Sequence, residues 1–114
     1  MSLPQKVIDS LQKKIWFFNH QFDHYQKMLL LDAPGKILGY NGANETSWLE
    51  EGGVLYFLGP TGQRSIAFEQ AVRRLGRLVL EGEFLDPNLH GAKAQLEEAS
   101  GVQHLLPVAI DQAA

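Results

Sequence analysis

Apolar positions recur at helical spacing near the start of the chain. Leu11, Ile15, Phe18, Phe22 and Tyr25 stand alternately four and three apart. That spacing predicts one stripe of a helix from Pro4 to about Gln26, with Val7 and Ile8 flanking it. Ser2 and Gln5 have capping-box spacing ahead of it. Trp16 and Phe17 fall off the stripe, so the helix carries large aromatics on two sides. Such a helix has two things to touch: its own domain, and a second copy or a neighbouring domain.

The pattern then shortens. Leu29–Leu31 and Lys36–Tyr40 flank Asp32-Ala33-Pro34-Gly35, which is turn chemistry, so these runs predict a β-hairpin. Asn41-Gly42-Ala43-Asn44 is a second turn, and Ala43–Glu51 reads as a short helix carrying Trp48 and Leu49. Gly52-Gly53 ends it. Val54–Leu58 fits a short strand or a helical turn, followed by a Gly59–Gly62 loop. Ser65–Glu81 predicts the second long helix, with Phe68, Ala71, Val72, Leu75 and Val79 on its apolar stripe and Gly82 as its stop. Gly76 inside it would cost about 1 kcal/mol relative to Ala. Glu83–Leu85 fits a strand. Asp86-Pro87 is a helix start, and Leu89, Ala92, Leu96 and Ala99 follow at helical spacing. Val102–Ile110 reads as a last strand, which Pro107 confines to an edge or a bulge.

Composition bounds the function. The chain has 114 residues, a net charge of −3 and no cysteine. One domain is expected, divided into an N-terminal helix (1–26) that serves for dimerisation and an α+β domain (27–114). Without cysteine there is no disulfide, no thiolate catalysis and no thiol-linked cofactor. No apolar run approaches the roughly 20 residues of a spanning helix, and the N-terminus is too polar for a secretion signal. A cytoplasmic protein is the expectation, with no membrane partner. The weakly acidic balance also disfavours nucleic acid. Yet all four arginines, Arg64, Arg73, Arg74 and Arg77, fall in one short stretch.

Asp32-x-x-Gly35-x-Ile37-x-x-x-Asn41-x-Ala43 resembles the opening of a PAS sensory domain. Gly53–Leu58, Phe68–Arg74 and Glu81-Gly82-Glu83-Phe84 are similar to its later elements, so the resemblance spans about residues 28–86. It implies an α+β fold: a PAS-like antiparallel sheet with a long N-terminal helix and a helix packed across the sheet. It implies that Asn41 holds the turn into the following helix. It also implies a ligand pocket between sheet and small helices, lined by Tyr40, Trp48, Tyr56, Phe57, Phe68 and Val72. The ligand is unspecified; a noncovalent flavin or a small metabolite fits, whereas a flavin–thiol adduct does not. The three closing strands of such a domain have little chain left to form them after Gly82. The function expected from the resemblance is non-catalytic sensing or regulation. The chain would act as a homodimer, or beside other domains of a signalling protein, through Leu11, Ile15, Trp16, Phe17, Phe18 and Phe22.

Other chemistry competes with that reading. His20 and His24 stand four apart and, with Asp23 between them, echo an inverted zinc-protease motif. Lys13 and Lys27 on the same face would repel a cation. Gly59–Ser65 precedes the second long helix but lacks the lysine of a phosphate loop, so Ser65 reads as a helix cap. Arg73, Arg74 and Arg77 form a face that suits an acidic partner, which makes an adaptor a third alternative.

Overall fold

The computed structural model describes residues 2–40 and 42–99, with only the backbone for His24. Among the described residues, eight antiparallel strands close on themselves in chain order: β1 (Ile15–His20), β2 (Asp23–Asp32), β3 (Lys36–Leu38), β4 (Ser47–Glu51), β5 (Val54–Leu58), β6 (Arg64–Arg74), β7 (Arg77–Phe84) and β8 (Lys93–Glu98). This is an up-and-down barrel. The expected α+β architecture is therefore wrong. No helix packs across an open sheet among the described residues, and the PAS-like arrangement is absent.

Closure follows from an alternating pattern. On β1, Trp16 and Phe18 are buried while Ile15 and Phe17 are only half-buried. Leu29 and Leu31, Ile37, Leu55 and Phe57, Ile66 and Phe68, Leu78 and Leu80, Ala94 and Leu96 continue the inward set. The register aligns these residues across the ladders. Trp16 faces Leu29, Phe57 faces Ile66, and Leu80 faces Leu96. Residues alternating in this way present one face to a common interior.

The predicted N-terminal helix is short. Only Gln5–Ser10 (α1) is α-helical, followed by a 3-10 turn at Leu11–Lys13. Ser2 makes no cap; Pro4 occupies that position. Leu3, Val7 and Leu11 plug one end of the barrel. Leu3 N–H donates to the Gly53 carbonyl at 2.7 Å, and Trp16 Nε1–H donates to that of Leu11 at 3.0 Å. From Ile15 onward the expected helix is strand. Leu11, Trp16 and Phe18, expected at a dimer interface, lie inside the barrel.

The second long helix is also a correction. Its residues form the β6–β7 hairpin. Ile66 and Phe68 point inward; a bulge between Phe68 and Gln70 then shifts the phase, so Ala71 pairs with Leu80. One extra residue turns a spacing of two into three and imitates a helical step. Leu75 and Gly76 form the tip, with φ of 52° and 79°. Two positive φ values in a two-residue loop match the twist of a hairpin. Gly76 is thus a turn residue, not a helix defect.

Other elements are mixed. The hairpin around Asp32–Gly35 is present, joining β2 to β3. Val54–Leu58 is the strand β5, and Glu83 and Phe84 end β7. The expected helix at Ala43–Glu51 is replaced by β4, and the one from Asp86 stops after Pro87–Leu89. There Asp86 does cap, accepting from Asn88 N–H at 2.9 Å. Asn41 and Val102–Ile110 lie outside the described residues.

Leucine at positive φ costs about 1 kcal/mol. Leu75→Asn should stabilise the protein by about 0.5–1 kcal/mol in urea unfolding, because asparagine tolerates that region. In a continuous helix the same change would destabilise it, so the sign separates the two folds. Alternation gives a second contrast. Trp16→Ala should cost about 3–5 kcal/mol in the same assay, and Phe17→Ala on the outer face clearly less.

Candidate functional site

Side chains fill the barrel interior. Phe18 meets Phe57 edge-on at 5.4 Å, and Phe57 meets Phe68 at 5.1 Å. Tyr40 closes on Phe18 at 5.5 Å. Phe57, Phe68 and Tyr40, proposed from sequence as pocket residues, therefore do come together, but as packed rings. The other three are elsewhere. Trp48 is half-buried against the core and donates to the Asp32 carbonyl at 3.0 Å. Tyr56 lies under Arg64, whose guanidinium sits 4.1 Å from the ring centre. Val72 is half-buried on the β6–β7 hairpin.

The end opposite α1 holds a titratable cluster. His20 stands edge-on to Phe84 at 5.4 Å, and its Nδ1 accepts from Phe22 N–H at 3.2 Å. That bond leaves the proton of the neutral ring on Nε2. Burial and the Lys27 charge hold its pKa below the ordinary value of 6.5. Tyr40 donates to the buried Glu45 carboxylate at 2.9 Å. Burial, that bond and the carboxylate charge push the phenol well above its usual range. Lys27 pairs with Asp23, which holds that carboxyl below its usual value together with the Tyr25 N–H bond. The His24 side chain lies outside the described residues, and among those described no group of three metal-ligating side chains converges.

One concavity lies outside the barrel. It is a groove of about 740 Å³ across β6, β7, β8 and the end of β1. Ala67, Gly82 and Ala94 are its small residues. Gly82 is required there: a Cβ would stand 2.5 Å from the Ala67 carbonyl oxygen and 2.7 Å from the Phe68 ring. Around them stand Asn19, Gln21, Gln70 and Gln95, with Glu69, Glu81, Glu83, Arg74 and Lys93. The charges are largely paired. Arg74 bonds Glu81, and Lys93 bonds Glu83 at 2.6 Å. The Gln21 carbonyl accepts from Lys93 N–H at 3.0 Å, and that of Gln95 from Arg74 at 3.4 Å. Holding each carbonyl end fixes the amide's rotation and so the direction of its N–H donors.

The arginines expected to share a helix face occupy one hairpin, each with its own partner. Arg74 is a groove residue; Arg77 reaches Glu97 at 3.0 Å, and Arg73 reaches the Gly76 carbonyl at 3.4 Å. Arg64 is on β6 at the other end, where its bond to Glu51 holds its pKa up. Ser65 sits within β6 and caps no helix. Sequence reasoning missed the groove because its residues come from four strands. The one local sign was Gly82, read as a helix stop.

A scan against protein-family models found no match, and neither did searches of curated proteins and of solved structures.

The folded imidazole of His20 resists protonation, whereas the unfolded one titrates near 6.5. Its contribution to stability is therefore full above pH 6.5. It is lost as pH falls below that value toward the folded pKa. Thermal unfolding between pH 7.5 and 5 (about the histidine range) should show a falling Tm. His20→Asn keeps an acceptor for Phe22 N–H and should flatten that part of the slope.

Proposed function

We propose that the chain is a non-catalytic binding domain whose groove across β6, β7, β8 and β1 takes a hydroxyl-rich, uncharged ligand of the saccharide class. The observation that carries this is the groove's composition. Its narrow side chains leave room, and its walls present amides and carboxylates beside paired cations. Amides and carboxylates offer donors and acceptors at short spacing, which is what adjacent hydroxyls need. The paired charges leave little net field to recruit an ion. The aromatic filling of the lumen argues against a ligand inside, since eight strands enclose room either for side chains or for one small molecule.

Amide NMR spectra recorded with a panel of saccharides at ~10 mM would detect binding as weak as millimolar. The expected result is displaced resonances at Gln70, Glu81 and Gln95, with Leu55 and Phe57 unmoved. Gln95→Ala should weaken binding about fivefold, the worth of one hydrogen bond. Displacements confined to the lumen, or none with any sugar, would discard the reading.

A further inference from the structure

The strand register gives the groove a direction. Asn19 on β1 stands opposite Gln95 on β8, Gln95 opposite Glu81 on β7, and Glu81 opposite Gln70 on β6. All four line the groove. They form one row across four strands, with a step of about 4.8 Å and a length of about 14 Å. A second row runs beside it. Lys93 stands opposite Glu83, and Glu83 opposite Ala67, with Gln21 bonded to Lys93 at the β1 end. The rows are two residues apart along each strand, or about 6.7 Å. Between them His20, Ala94, Gly82 and Phe68 also stand opposite one another. Phe68 and Ala94 turn into the core, His20 turns to Phe18 and Phe84, and Gly82 has no side chain. The groove is therefore a trench across the strands, floored by backbone and walled by amides and carboxylates. The bulge completes the first wall. Without its extra residue, Glu69 would face Glu81 and set like charges together. Gln70 takes that rung instead, while Arg74 neutralises Glu81 and holds the Gln95 carbonyl.

We infer, on the saccharide reading of the groove, that its ligand is a linear oligosaccharide with extended, equatorial linkages, lying across the strands with one ring at each rung. In such a chain each pyranose ring advances by nearly the spacing between strands, so its hydroxyls recur in step with the wall residues. Successive rings turn their hydroxyl pairs to opposite sides, and the trench has a wall on each. Laid along the strands, the same chain would leave the trench. Four rungs take four rings.

Calorimetric titration with two such series, β-1,4-linked oligomers of glucose and of N-acetylglucosamine from one to six units, tests the match. In at least one series Kd should fall about fivefold for each ring up to four, one hydrogen bond per rung, and then level off. Oligomers of α-1,4-linked glucose, whose axial linkage coils the chain, should gain nothing beyond two rings. Asn19→Ala removes an end rung. It should weaken the tetramer about fivefold and move the plateau to three rings. Gln70→Ala should do the same at the other end. A single ring that binds as tightly as four overturns the inference and leaves the saccharide site standing. So does an equal gain in the coiled series, a plateau unmoved in both variants, or no binding by either extended series. Silence of the whole saccharide panel in the amide spectra removes the site itself.

Discussion

Closing a sheet after eight strands leaves a lumen about as wide as two layers of side chains, and this chain fills it with rings. Phe18, Phe57 and Phe68 are each fully buried and meet edge-on in sequence. Edge-to-face contacts add about 0.5–1.5 kcal/mol beyond the area buried. Four different strands hang on this stack once Tyr40 and its loop are counted with the third. α1 seals one end with Leu3, Val7 and Leu11, while His20 and Phe84 continue the rings to the other. A barrel that faces lipid carries the reverse pattern, a polar lumen and an apolar outer band; here the ion pairs of β6, β7 and β8 are outside.

A filled lumen moves recognition to the outer surface. The same residues serve both sides of the wall. Phe68 needs a neighbour without a side chain, and Gly82 stands opposite it. Gly82 thus admits the ring on the inner face, while the short side chain of its neighbour Ala67 gives room on the outer one. The bulge after Phe68 increases local twist and bend. It sets Gln70 against Glu81 and Ala71 against Leu80, bringing an amide to the outer face while the apolar row continues inward.

What was legible in the sequence was local. Asp32–Gly35 has turn residues whose angles are fixed by their own chemistry, and the hairpin there formed as expected. Asp86-Pro87 capped for the same reason. The long helices failed because alternation was hidden. On β1 both faces are apolar, with Trp16 and Phe18 inside and Ile15 and Phe17 outside, so a period of two vanished into a continuous run. On β6 the bulge replaced one step of two by a step of three. Leu75-Gly76 lacked the asparagine or aspartate that usually marks such a turn, and so one hairpin read as one rod. The groove was illegible for a further reason. Its residues lie far apart in sequence, and only closure of β8 onto β1 brings Gln95 beside Asn19.

The β1–β2 turn ties the groove to the ring stack inside the barrel. Gln21 is bound to β8 twice, donating N–H to the Lys93 carbonyl at 3.1 Å and accepting from Lys93 N–H through its side chain. It thereby forms one wall of the groove. Two residues on, Asp23 begins β2 and pairs with Lys27. Phe22 lies between them, in contact with both His20 and Phe84.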